Sequence, residues 1–234
     1  MPKHETITQL FNDIAPKYDR LNHLMSFNLD KMWRRKAVRA TLTDDCPLEI
    51  LDVATGTGDL AIALAKKCCR GSRIVGLDPS EKMLAVGRSK LDRANLSSVV
   101  AFQEGNCEAL PFENERFDRV TVAFGIRNFE NLELGFSEMF RVLRRGGRLV
   151  ILELSFPDNR FLQWFFKKYA LQWLPRLGAH VSGQMAAYQY LPESILKFPK
   201  PPVLLPKLKA AGFGEAKATS LTFGVCRMYI AEKY

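Results

Sequence analysis

From residue 50 to residue 154 the chain alternates between two hydrophobic rhythms. Residues 50–53, 73–77, 99–103, 117–122 and 148–154 are short apolar runs, Val-, Ile- and Leu-rich, as strands buried on both faces must be. Between them apolar positions recur every three to four residues. Leu60, Ile62, Ala63 and Leu64 mark a helix continuing to Lys67. Met83, Leu84, Gly87 and Leu91 mark one ending near Asn95, and Leu132, Phe136, Met139, Phe140 and Leu143 one capped by Asn131 and stopping at the Arg144–Gly147 turn. Strands alternating with helices predict a parallel sheet with right-handed crossovers.

The flanks have other rhythms. Ile7, Leu10, Phe11 and Ile14 predict a helix that Pro16 interrupts. Beyond it Tyr18, Asp19 and Asn22 border an apolar stripe of Leu21, Leu24, Met25, Phe27 and Trp33. Such a segment either packs on the domain or closes over a ligand. After the fifth run, residues 156–200 are dense in aromatics, among them Phe156, Phe161, Trp164, Phe165, Phe166, Tyr169, Trp173, Tyr188 and Tyr190. Pro199, Pro201 and Pro202 read as a joint before a helix over 204–211. Residues 217–221 and 226–231 read as a hairpin across Thr222-Phe223-Gly224.

One stretch carries candidate chemistry. The first strand runs into Gly56-Thr57-Gly58, where the missing Cβ atoms permit a tight turn and close approach of a ligand, and Asp59 can cap the next helix. Asp78 ends the second strand, at the distance where a carboxylate accepts the hydroxyls of a ribose. Asn106 and Cys107 lie just past the third strand, and Arg127 and Asn128 past the fourth. Open α/β sheets bind ligands at that edge. These features predict nucleoside binding and leave a nicotinamide enzyme open.

Composition narrows the setting. With 234 residues and 47% hydrophobic content, the chain can bury a large core. Its net charge of +9 is dispersed, with clusters at 33–36, 144–145 and 197–200. That balance suits solubility, an anionic membrane surface or RNA. Five cysteines without a C-x-x-C motif and three scattered histidines argue against a disulfide framework and a zinc site, so no metal is expected and a reducing cytoplasm is. Neither a signal-peptide pattern nor a run of about 18 uninterrupted apolar residues occurs.

The sheet, the glycine loop, the acid after strand two, the amide after strand three and the terminal hairpin together resemble the class I S-adenosylmethionine-dependent methyltransferases. That resemblance implies a Rossmann-like, seven-stranded, mostly parallel sheet with an antiparallel last strand and helices on both faces. A nicotinamide enzyme would need another parallel half after strand three, which the aromatic insert and the hairpin do not supply. YDRLNHLMSFNLDKMW, ATGTGD, NCEALPF, the FGIRNFENLELGF segment through RRGGRLVILELSFP, and YQYLPESI resemble the signatures of the ubiquinone/menaquinone biosynthesis C-methyltransferases over nearly the whole chain. Departures are Thr55 before the glycines, Cys107 where Ala is common, Ala123 for Ser, and Arg144-Arg145 for Lys-Pro.

The resemblance implies methylation of a ring carbon of a polyprenylated hydroquinone, demethylmenaquinol to menaquinol or the matching ubiquinone precursor. It implies S-adenosylmethionine as donor, held by Ala54, Gly56, Thr57, Gly58, Asp78, Asn106, Cys107 and Ala123. Arg127, a poor base but a good stabiliser of a phenolate, would face the acceptor hydroxyl with Asn128, and Asp19 or a held water would take the proton. Residues 1–45 would form an N-terminal helical lid on a methyltransferase domain spanning 46–234. A cytoplasmic protein touching the inner membrane face through Arg160, Lys167, Lys168 and Arg176 is expected, with a homodimer a further option and no nucleic-acid partner. An RNA methyltransferase stays open on charge, although the Asn/Asp-Pro-Pro-aromatic tip common there is replaced by residues 123–128. A non-catalytic cofactor-binding subunit is the third reading.

Overall fold

The apolar runs lie side by side, because strands buried on both faces satisfy their backbone only against one another. The computed structural model describes residues 4–168 and 185–234. Strands β1 (Glu49–Val53), β2 (Arg73–Asp78), β3 (Val100–Glu104), β4 (Phe117–Ala123), β5 (Leu143–Leu154), β6 (Ala216–Leu221) and β7 (Cys226–Glu232) form one sheet in the order β3-β2-β1-β4-β5-β7-β6. Only β7 runs against the rest, pairing antiparallel with β5 and β6. This is the expected seven-stranded architecture, and the terminal hairpin supplies β6 and β7.

Successive residues of a strand face opposite layers. On β5, Leu149 and Ile151 join the core beneath Phe136 and Met139 of α6 (Leu132–Val142) and Leu204 and Leu208 of α9 (Pro201–Ala210). Val150 and Leu152 join the core on the other face. There Trp33, Ala37 and Val38 of α3 (Leu29–Thr41) meet Leu60 and Leu64 of α4 (Asp59–Ala65) and Leu91 of α5 (Glu81–Ala94). Within residues 1–45, then, α3 belongs to the sheet's helix layer. Helices α1 (His4–Ile14) and α2 (Tyr18–Met25), joined by a 3-10 turn containing Pro16, cross the carboxyl edge of the sheet.

Local chemistry sets several boundaries, those at Asn131 and Asn95 as the sequence predicts. Ser80 and Asn131 cap α5 and α6 by accepting from the backbone N–H of Met83 and Leu134. Asn95 ends α5 in left-handed conformation. Other boundaries differ. Asp59 does not cap α4: Gly58, at φ 78, holds the cap position, and the Asp59 carboxylate turns to Lys90 and Arg34. Strand β5 begins at Leu143, not Arg148, because the Arg144–Gly147 segment is a bulge in which four residues of β5 lie opposite one of β4. Pro201 and Pro202 open α9 instead of preceding it, since proline is tolerated where a helix needs no N–H donor. In the aromatic insert, α7 (Arg160–Lys168) and α8 (Met185–Lys197) are formed. Tyr169, Trp173 and Arg176, and the side chains of Phe165, Lys167 and Tyr188, lie outside the described residues.

Candidate active site

Chain order reverses between β1 and β4, so the loops leaving them diverge and open a crevice. The crevice encloses about 900 Å³ including its mouth. Its floor is the glycine loop. Ala54 and Gly56 hold positive φ, 52 and 58, while the Thr55 N–H reaches back to Leu77 of the neighbouring strand at 3.0 Å. Asp78 accepts from the backbone N–H of Gly56 at 2.8 Å and of Ser80 at 2.9 Å. A carboxylate has about four acceptor positions, and these two backbone bonds take two of them.

Ala54, Gly56, Thr57, Asp78, Cys107, Ala123 and Asn128 all line this crevice. Gly58 does not. A Cβ there would lie 2.3 Å from the Phe102 ring, so this glycine makes room for an aromatic under the loop, not for a ligand. Asn106 is exposed and off the wall; its amide oxygen accepts from the Glu108 N–H at 2.8 Å and shapes the turn that presents Cys107 and Glu108. Burial and then the charge of Asp78 push the Cys107 thiol far up, leaving an inert side chain.

Asp52, at the end of β1, escaped the sequence reading because it sits inside an apolar run. It lines the crevice, accepts from the hydroxyls of Thr55 at 2.6 Å and Thr121 at 2.7 Å, and is buried enough that its carboxyl is pushed up to about 6. Nothing in the sequence shows that burial, since it depends on β4 crossing beside β1.

A second cavity of about 740 Å³ adjoins the first. The two share Tyr18, Arg34 and Phe124 as a common wall. Most of its lining is apolar: Met25, Trp33, Leu154, Phe166, Leu191 and Ile195. Charge comes from Asp30 and Arg34, which pair with each other, and from Arg127. Its guanidinium donates to Glu153 at 2.8 Å and to the Phe124 carbonyl, while Glu153, fully buried, also accepts from the backbone N–H groups of Arg127 and Leu154. Burial alone would lower the pKa of Arg127, but Glu153 holds it above its ordinary value. The Arg127 Nε–H is buried without a partner among the described residues. Asn128 accepts from the Tyr190 hydroxyl at 3.0 Å. Burial raises the Tyr18 phenol, with the charge of Arg127 pulling it back.

Asp19 is brought elsewhere. Its carboxylate accepts from Thr57 at 2.5 Å and from Lys90 at 2.7 Å, and it lines neither cavity. It fastens α2 to the glycine loop. Lys90 also grips Asp59 at 2.5 Å, and Arg34 joins Asp59 to Asp30, beside which His23 lies at 2.7 Å. The histidines are therefore not all isolated. His23, Asp30 and Asp59 present ligand-type atoms within 4.8 Å of one another, and Arg34 and Lys90 meet their negative charge. Although burial would raise it, Arg34 and Lys90 hold the Asp59 carboxyl below its ordinary range.

Comparison with known proteins agrees with this geometry. Residues 1–233 match the model of the ubiE/COQ5 methyltransferase family. The chain is 46% identical over 231 residues to the demethylmenaquinone methyltransferase of Bacteroides fragilis, covering 99% of this chain and 94% of that protein. It is 43% identical over 231 residues to the ubiquinone/menaquinone biosynthesis C-methyltransferase UbiE of Geobacter sulfurreducens, covering 99% and 90%. Among solved structures, a SAM-dependent methyltransferase of Thermotoga maritima aligns with a TM-score of 0.68 at 20% identity, over 97% of this chain and 99% of that one. The [4+2]-cyclase SpnF aligns at 0.71 and 16%, over 99% and 97%, so the fold alone does not fix the reaction. With a full-length family match, relatives above 40% identity, and a crevice joined to an apolar pocket at the carboxyl edge of the sheet, this chain belongs to the ubiE/COQ5 methyltransferase family.

Proposed function

We propose that the protein methylates a ring carbon of a polyprenylated hydroquinone, with demethylmenaquinol as acceptor and S-adenosylmethionine as donor. One observation carries this reading. A crevice lined by the glycine loop and Asp78 adjoins a mostly apolar pocket that includes Arg127, and the two share Tyr18, Arg34 and Phe124 as a common wall. The first cavity fits a nucleoside with a charged tail, and the second fits an apolar ring bearing hydroxyls.

The donor supplies the electrophilic methyl on its sulfonium, so the protein must chiefly hold two molecules in line. Asp78 takes the ribose, and backbone at Ala54, Gly56, Thr57 and Ala123 lines the path. The turn presenting Cys107, shaped by Asn106, takes the base, and Gly58 keeps the loop tight by admitting Phe102. An aromatic carbon becomes nucleophilic when its adjacent hydroxyl ionises. Arg127, at the wall of the pocket, stabilises that phenolate with its guanidinium charge, worth most where water is excluded. Asn128, tied to Tyr190, orients the hydroxyl and the water that accepts its proton. Asp19 acts through the lid, by clasping α2 to Thr57 and Lys90.

The acceptor's tail places the reaction beside a bilayer, and the aromatic segment 156–200 forms part of the apolar wall through Phe166, Leu191 and Ile195. No helix among the described residues is long and apolar enough to cross a membrane. Transfer of labelled methyl from S-adenosylmethionine to a short-chain demethylmenaquinol tests the assignment. Transfer is expected with demethylmenaquinol, and its absence alongside transfer to bulk RNA would sink it. Accumulation of demethylmenaquinone in a deletion strain identifies the ring.

A further inference from the structure

The apolar pocket opens between three pieces of chain remote in sequence. Met25 and Ser26 bring the α2–α3 turn to it, Phe166 brings α7, and Val225 brings the β6–β7 turn. Each piece also carries exposed aromatic surface. Phe27 is 71% exposed, Phe223 80%, and on α7 Phe161 and Trp164 are 68% and 55% exposed. The pieces abut. Trp33 of α3 donates to the Thr222 hydroxyl at 2.8 Å, and a Cβ on Gly224 would lie 3.5 Å from Pro157. Phe156 and Phe166 meet edge-on at 5.8 Å.

Phe27 and Phe223 share a second oddity. Both hold left-handed backbone, φ 51 and 55, a conformation in which a bulky side chain is an outlier and glycine is at ease. Neither ring is there to suit its turn. Their exposure makes them poor core residues too.

Next to Phe27 the outer face of α3 is basic. Lys31, Met32, Arg35, Lys36 and Arg39 are all exposed and fall within an arc of about 140° at about 100° per residue. None of these four cations has an acidic partner among the described residues, unlike Arg34 on the inner face, which is paired twice. On α7, Lys168 lies over the Trp164 ring at 4.8 Å. Aromatic tips beside unneutralised lysines and arginines match the headgroup region of an anionic bilayer, where rings sit at the acyl boundary and cations meet phosphate.

We propose that Phe27, Phe223, the exposed face of α7 and the basic face of α3 form one docking surface for an anionic phospholipid bilayer, with the mouth of the acceptor pocket held against the lipid. An apolar acceptor then passes from bilayer to pocket without crossing water. This rests on the quinol reading, and it extends the membrane contact from the aromatic segment to two turns and to α3, at opposite ends of the chain.

Flotation with vesicles of phosphatidylglycerol and phosphatidylethanolamine tests the proposal. The wild type is expected to float at low salt and to detach at high salt. Phe27→Gly with Phe223→Gly removes both rings while relaxing the left-handed backbone, so the fold is kept and the bound fraction should drop at least tenfold. Lys31→Glu with Arg35→Glu should drop it equally. Both double variants should keep wild-type transfer to a water-soluble, tail-less quinol, which separates docking from chemistry. Three results overturn the docking surface: a wild type that never floats, variants that float as it does, or a concentration-dependent dimer that these substitutions dissolve, which would make the face a self-contact. Failure of transfer to every quinol, with flotation intact, would instead strike the functional assignment on which this one rests.

Discussion

Around the proposed donor crevice the wall is mostly backbone and short side chains on the loops that leave β1 to β4, completed by Ile7 and Phe11 of α1, Tyr18 of α2 and Arg34 of α3. The acceptor pocket is walled by large side chains from α2, α3, α7, α8 and the β6–β7 turn. The first is assembled by adjacent strands whose register brings Thr55 to Leu77 and Asp78 to Gly56. The second depends on contacts such as Trp33 to Thr222 and Tyr190 to Asn128, which join segments with little else in common. Where peptide groups do the binding, as proposed for the donor, changes such as Cys107 and Ala123 are tolerated. A side-chain site has no such reserve, so single substitutions should separate the two.

The largest expected effect is on the buried pair behind the acceptor pocket. Glu153→Ala strands the Arg127 charge in a dry interior and should cost about 3 to 5 kcal/mol of unfolding free energy, measured by urea denaturation. Replacing both partners, Arg127→Met with Glu153→Met, should restore most of that stability while methyl transfer stays lost. If the double variant transfers methyl, Arg127 does not act on the acceptor.

Next comes Asp52, on the donor side. Its carboxyl titrates near 6 when folded against an ordinary 3.8, so the folded chain holds the extra proton between those values. Its contribution favours the fold below pH 4 and is lost as pH rises through 6, about 3 kcal/mol in all. The wild type should therefore lose that much more stability than Asp52→Asn between pH 4 and 7. Parallel stability curves would mean that Asp52 is solvated in solution.

A smaller loss, seen only in donor binding, is expected at Asp78. Asp78→Ala removes charge-assisted bonds worth about 1.5 to 3 kcal/mol each, one of which ties the glycine loop. Calorimetric affinity for S-adenosylhomocysteine should fall at least tenfold, with binding of a quinol analogue unchanged. Equal losses for both ligands would show that the two cavities are not independent.

The mildest change sharpens the comparison from the acceptor side. Tyr190→Phe deletes one neutral hydrogen bond to Asn128, about 1 kcal/mol, so turnover should drop roughly fivefold with donor affinity unmoved. Unaltered turnover would leave Asn128 oriented by its own loop alone.

The succession of strands and helices, the crevice edge and the glycine loop were legible in the sequence, since hydrophobic period, caps and glycines act over a few residues and repeat wherever such a sheet forms. Gly56 and Asp78 could be placed by counting along the chain. What counting could not supply was partnership across the fold. That Gly58 serves Phe102, that Asp19 is taken by Thr57 and Lys90, and that Asp52 is buried beneath Thr55 and Thr121 were settled by packing. Glu153 is hidden inside what reads as an apolar run, and only the tertiary structure gives it Arg127. The physical reason is range: backbone conformation answers to neighbours in sequence, while the protonation and partners of a buried side chain answer to whichever distant segment displaces its water.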